Sequence, residues 1–239
     1  MNRVSIIMPY YEQPQQLVRQ LGFFEALGPD LKGRVEIILC DDGSRDHPLR
    51  DWAEVFEARM TVDYQLLALL EDVRWNWIGA RNRAAHEARH EWLLMTDIDH
   101  AVPLETITGL LKGSWDPKRC YDFARRDMPD GRENTKRHPN SWFMTRKTFF
   151  DRVGAYDERW SGIYGSDGEF RRRCQARTRG VSHLDLALWR FPPEAYEEAA
   201  TTRYRRKTAE DRTNRRRVRQ EIARDPKTRR LTFAWERIA

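Results

Sequence analysis

Cysteine is scarce: Cys40, Cys120 and Cys174 are three in 239 residues, far apart and without a CxxC pair. So odd and scattered a set argues against a disulfide framework or a thiolate zinc site and suits a reducing compartment. No apolar run approaches the roughly 20 residues needed to cross a bilayer. The first apolar stretch, Val4–Met8, stops at Pro9 without a signal-peptide layout, so a cytoplasmic protein with no transmembrane segment is expected. A glycine-rich phosphate loop is also missing after that stretch, where Pro9-Tyr10-Tyr11-Glu12 stands instead. Its absence counts against a GxGxxG dinucleotide enzyme and against a nucleotidyltransferase that uses such a loop. Internal repeats are lacking as well.

What is present is an apolar share of 40%, with nine Trp, eight Tyr and ten Phe, enough for one sizeable α/β domain. Charge is abundant and uneven. Residues 201–239 hold 14 Lys and Arg against 5 Asp and Glu, leaving 29 basic and 32 acidic residues for the remainder. A mildly acidic body therefore precedes a strongly basic, helical tail, and the two need separate explanations.

Strands are expected at Val4–Met8, Val35–Cys40, Tyr64–Leu69, Trp92–Thr96, Trp142–Thr145 and Val181–Phe191. Helices are expected over Pro14–Leu27, Leu49–Arg59, Ile78–Arg89, Lys147–Val153 and Asp167–Ala176, while residues 113–140 read as a loop. Strand–helix alternation of this kind builds a mostly parallel sheet in a Rossmann-like domain. Ligands bind such sheets beyond the carboxyl ends of the strands. Tyr10-Tyr11, Asp41-Asp42 and Asp97–Asp99 all fall at those ends and should converge in one crevice.

Asp97-Ile98-Asp99 places two carboxylates on one side of an extended segment. Hard cations such as Mg²⁺ or Mn²⁺ take oxygen ligands and share them with substrate phosphates, although a solvated acidic turn has the same composition. The surrounding motifs favour the cation. Val4–Tyr11, Ile38–Asp46, Gly79-Ala80-Arg81-Asn82, Leu93–Asp99, and Gly154–Glu158 followed by Gly162–Phe170 run in the order of a family 2-type glycosyltransferase with the GT-A fold. The chain resembles that family over roughly residues 3–175.

The resemblance implies a catalytic domain over 1–191, with a nucleotide-binding half to about residue 100, an acceptor-binding half beyond it, and a basic extension over 192–239. It implies an inverting transfer from a nucleotide-diphosphate sugar with Mn²⁺ or Mg²⁺. Donor contacts would come from Pro9, Tyr10, Tyr11, Asp42 ahead of Asp41, Arg81, Asn82 and Asp97; metal ligands from Asp97 and Asp99, with His183 ahead of His100 and His138 as a third. Asp167 aligns with the base, Glu169 stands in reserve, and Trp160 and Tyr164 would stack on the acceptor. Ser166 and Gly168 depart from the family's pattern around the base.

The acceptor stays open among glycan, lipid-linked sugar, protein and modified nucleic acid. The clusters Arg205-Arg206-Lys207 and Arg215-Arg216-Arg217 suit an anionic partner, nucleic acid or a membrane surface. Two other readings remain: a nucleotidyltransferase on a similar sheet, and a nucleic-acid-binding protein led by its tail.

Overall fold

Every residue of Val4–Tyr10 (β1) and Val35–Asp41 (β2) is buried. Strands covered on both faces read as unbroken apolar runs, which is why both are visible in the sequence. They belong to a computed structural model that describes residues 2–128, 132–133, 140–163, 165–191 and 209–239. Tyr164, His138, Pro192-Pro193 and the Arg205-Arg206-Lys207 cluster lie outside the described residues.

β1 and β2 are joined by Asp63–Leu69 (β3) and Trp92–Met95 (β4) in the parallel order β3-β2-β1-β4. The connections carry helices Pro14–Glu25 (α1), Ala53–Arg59 (α2, after a 3₁₀ turn at Leu49–Trp52) and Trp77–Glu87 (α3). The chain steps outward from β1 to β3, then returns to the other flank of β1 as β4. That reversal opens a crevice at the carboxyl ends of β1, β2 and β4.

Beyond β4 the sheet becomes mixed. Trp142–Thr145 (β8) runs antiparallel to β4 and to Cys120–Asp127 (β6), while Val181–Arg190 (β9) lies parallel to β6. His100–Ala101 (β5) pairs with the far end of β9, and Arg132–Glu133 (β7) with β6. Leu104–Lys112 (α4) packs with α1 and α2 on one face, burying Leu17, Leu21, Phe56 and Leu110 against Ile6, Met8 and Ile37. Ser166–Arg177 (α5) and Ala209–Arg224 (α6) join α3 on the other face, where Ala84, Phe170 and Val218 meet Ile7, Ile38 and Trp142.

Two expectations fail in the second half. Within residues 113–140, read as loop, β6 is a buried strand of eight residues. Its buried charges are paired: Asp122 takes Arg171 at 2.8 Å, and Arg125 pairs with Asp127 at 3.0 Å. The extension, expected to be helical, is helix over Ala209–Arg224 and strand further on. Trp235–Arg237 (β10) adds an antiparallel edge strand to β3, with Trp235 opposite Leu69. Before it, the backbone N–H groups of Leu231 and Thr232 each donate to the buried Glu158 carboxylate at 2.8 Å. Within residues 225–239, β10 thus extends the main sheet.

Candidate active site

The Asp97–His100 turn follows β4 directly, and its backbone is fixed from two sides. Gln20 of α1, itself buried, donates from Nε2 to the carbonyls of Ile98 and His100, both at 2.9 Å. The Phe191 N–H donates to the Asp99 carbonyl at 3.0 Å. So held, Asp97, Asp99 and His100 present ligand atoms within 4.8 Å of one another. His100 Nδ1 lies 2.6 Å from Asp99 Oδ1, while its buried Nε2 has no hydrogen-bond partner. Two carboxylate oxygens and one imidazole form a set that suits Mn²⁺ or Mg²⁺.

Asp97 is the most connected of the three. Its side chain remains 37% exposed toward the crevice, yet its Oδ1 accepts a 2.7 Å bond from the fully buried Arg81 guanidinium. Burial raises the Asp97 pKa against the lowering pull of Arg81, and the neighbouring Asp99 charge raises it further. Arg81 is enclosed in turn. It donates to the Tyr156 hydroxyl at 3.0 Å and the Asn140 carbonyl at 3.1 Å, and sits 4.7 Å over the Trp77 ring. A guanidinium engaged in this way orients Asp97.

Asn82 needs a correction. Its amide donates to the Tyr156 carbonyl at 2.9 Å and Glu158 Oε1 at 2.8 Å, and accepts from the Tyr156 N–H at 2.9 Å. Every polar atom is spent on locking α3 to the segment before α5, leaving nothing for base or ribose.

Asp167 enters from the first turn of α5, whose N-cap Gly165 holds φ 110°, a backbone that disfavours any side chain. Its Oδ1 accepts from Asn140 Nδ2 at 2.6 Å. Burial, and then the Asp97 charge, push the Asp167 pKa up to about 6, with Arg81 and Asn140 pulling the other way. Both charges lie nearby through a short chain of contacts: Arg81 donates to Asp97 and to the Asn140 carbonyl, and Asn140 donates to Asp167. Glu169, one turn further into the same helix, is consumed by Arg173 through bonds of 2.6 and 2.8 Å. The reserve base is therefore a structural ion pair.

The two carboxylates after β2 divide their roles. Asp41 accepts from the N–H groups of Ser44 at 2.8 Å and Leu49 at 2.7 Å, which makes it the turn-former. Asp42 is buried, and its Oδ1 has no hydrogen-bond partner. Burial drives its pKa well up, aided by the Asp41 and Asp72 charges. The backbone N–H of Asn76 bonds the same carboxylate and pulls the pKa the other way. Gly43, at φ 87°, keeps the next segment close: a Cβ there would come within 2.8 Å of the Asp72 Cα.

Other expected contacts fall away. Pro9 and Tyr10 are buried within β1, and the Tyr10 hydroxyl donates to the His47 carbonyl at 2.7 Å. Tyr11 alone of that trio is half-buried beside the loop, with its hydroxyl 3.4 Å from Asp72. Trp160 is 2% exposed and belongs to the core around Phe170, so it offers no sugar platform. His183 bonds Asp122 at 2.9 Å and is not in the ligand cluster. Strand register explains this: Arg190, not His183, pairs with His100, and seven residues of strand separate the two by roughly 20 Å. Asn140, which joins Asp167, Arg81 and Trp142, was not foreseen; a single Asn in a polar stretch carries no pattern to find it by.

Residues 5–176 match the family model described as glycosyl transferase family 2. Among curated proteins, an undecaprenyl-phosphate 4-deoxy-4-formamido-L-arabinose transferase from Pseudomonas syringae is 30% identical over 110 residues, 46% of this chain and 32% of that protein. The match therefore spans about a third of the relative's length. Among solved structures, S. aureus TarS 1-349 with UDP-GlcNAc superposes with a TM-score of 0.69 at 15% identity, over 92% of this chain and 66% of that one. The mannosyltransferase PcManGT from Pyrobaculum calidifontis, with GDP-Man and Mn²⁺, gives 0.60 at 18% identity, over 95% and 66%. These likenesses establish the GT-A fold. With most of its length matched by the family model and the family's motifs gathered around one crevice of that fold, the chain belongs to glycosyl transferase family 2.

Proposed function

We propose that this chain is an inverting glycosyltransferase that moves a sugar from a nucleotide-diphosphate donor to an acceptor hydroxyl. The observation that carries the reading is the Asp97, Asp99 and His100 cluster, tied to Asp167 through Arg81 and Asn140. Asp42 accepts a hydrogen bond from the nucleobase ring N–H. Asp97, Asp99 and His100 are the residues that would hold a divalent cation, which supplies charge neutralisation for a departing diphosphate. The unpartnered His100 Nε2 and the mutual repulsion of the two carboxylates fit such an ion.

Asp167 removes the acceptor proton as the anomeric carbon is attacked, and a pKa near neutrality suits a general base. Asn140 aims Asp167, and Arg81 aims Asp97, so both carboxylates are oriented before substrate arrives. The Mn²⁺ and GDP-Man of the archaeal mannosyltransferase support the choice of ion and donor class. The name of the P. syringae relative supports an acceptor of the lipid-linked class.

The test is a panel of UDP-, GDP- and dTDP-sugars incubated with Mn²⁺, read as release of nucleoside diphosphate. One donor base should be turned over, EDTA should stop the release, and Asp167→Asn should still bind that donor while losing transfer. Failure of every sugar nucleotide to bind or react would overturn the proposal.

A further inference from the structure

Asp167 and Arg171 stand four residues apart in α5, with the acid nearer the N-terminus. That spacing and order favour an ion pair along a helix. The same helix shows the outcome when nothing competes: Glu169 and Arg173, also four apart, pair at 2.6 and 2.8 Å. Asp167 and Arg171 do not pair. Asp167 takes Asn140 instead, while Arg171 Nη1 donates to Asp122 Oδ2 at 2.8 Å and its guanidinium lies 4.7 Å over the Trp142 ring.

Asp122 is placed to win that competition. It is buried in β6 opposite His183 of β9, and its other oxygen, Oδ1, lies 2.9 Å from His183 Nδ1. Arg171 is 44% exposed, so its own packing does not fix it, and a change of rotamer is what separates it from Asp167. A guanidinium on Asp167 would hold that carboxylate ionised and blunt it as a proton acceptor. The other described groups around Asp167 are Arg81 of α3, Asp97 after β4, Asn140 before β8 and Tyr156 before α5, with Arg215 of α6 beside Gly165. Arg171 is the one cation among them that its own helix sets at pairing distance.

We propose that Asp122 is a positioning residue of the transfer: by holding Arg171 against Trp142, it keeps the Asp167 carboxylate free of its own helix's cation and open to the acceptor hydroxyl. The inference rests on the sugar-transfer reading above and extends it to a strand that touches neither donor nor base. Arg171 is then a charge held in check, and its harm appears only when Asp122 lets go.

The experiment is NMR titration of the Asp167 carboxyl carbon in the full chain without divalent cation, beside the pH profile of kcat. In Asp122→Asn the released Arg171 turns to Asp167. The carboxyl midpoint should fall from about 6 by about one pH unit or more, the acidic limb of kcat should move down with it, and kcat at pH 7.5 should drop about threefold or more with donor KM unchanged. Asp122→Asn/Arg171→Gln should return midpoint and kcat to near wild type, a rescue that a lost structural ion pair does not give. Arg171→Gln alone, a change on an exposed side chain, should leave kcat near wild type. An unmoved midpoint in Asp122→Asn, the same fall in the double variant, or a kcat in Arg171→Gln as low as in Asp122→Asn would each overturn the proposal. A wild type that turns over no sugar nucleotide would instead strike the sugar-transfer reading, while the carboxyl titration still decides whether Asp122 holds Arg171 away.

Discussion

Among single residues, Asp167 works against the stability of its own fold. Its pKa stands at about 6 against an ordinary 3.8, with burial and the Asp97 charge as the causes. A carboxyl raised in this way contributes its stability in full below roughly pH 4 and loses it as pH rises through about 6. At pH 7.5 the ionised side chain therefore costs up to about 3 kcal/mol. Asp167→Asn should raise Tm at pH 7.5 while abolishing transfer, and a fall in Tm would contradict the burial argument. Wild-type turnover should decline as pH drops through about 6, because the base must be ionised to accept a proton. Asn82→Ala is expected to behave oppositely. It breaks three buried hydrogen bonds and should lower stability by about 2–4 kcal/mol, with donor affinity in the surviving protein unchanged; a specific loss of donor affinity would restore Asn82 to the donor site. The sequence made the Asp97–Asp99 pair, Asp42 and Asp167 legible, because each ends or starts an element whose apolar pattern is plain. It did not show that Arg81 and Asn82 are engaged within the fold, or that His100 rather than His183 sits beside Asp99. Those distinctions depend on which neighbour consumes each polar atom, and the neighbours arrive from distant parts of the chain.

At the level of elements, the tail and the body hold each other. Four hydrogen bonds reach Glu158, from Asn82, from the Leu231 and Thr232 N–H groups and from the Thr232 hydroxyl. β10 then covers the open edge of β3, with Arg83 stacked 4.4 Å over the Trp235 ring. Removing residues 225–239 should strip that edge and leave Glu158 buried without three of its donors, at a cost of at least about 3 kcal/mol. Chemical denaturation should show a lower midpoint with unchanged cooperativity; a truncated protein as stable as the full chain would refute the clasp. Truncation is for the same reason no clean way to separate tail-borne from core-borne binding, and point changes on α6 are needed. The four parallel strands were visible because helices bury both of their faces. β6 was hidden by Asp122, Arg125 and Asp127, charges that resemble loop composition until their partners are in place. β10, three residues long with Glu236 and Arg237 in it, falls below what periodicity can register.

Across the whole molecule, the strand order gathers acidic groups from the ends of β2, β4 and α5, and sets a basic helix face beside the last of them. The uneven charge along the chain thus places an acidic cluster and a basic helix face on neighbouring elements. The fold class followed from strand–helix alternation and the family from ordered motifs, whereas the meeting of the two charge regions depended on α6 packing beside α5. On the proposed reading, the Asp97–His100 turn holds a cation that in turn holds the nucleotide. Calorimetric titration of Mn²⁺ and of the donor's nucleoside diphosphate, alone and together, into wild type and Asp99→Asn tests it most directly. Each ligand should tighten the other in wild type, and Asp99→Asn should weaken Mn²⁺ at least tenfold and remove that coupling. Equal Mn²⁺ affinity in the variant, or nucleotide binding undiminished by EDTA, would contradict the account.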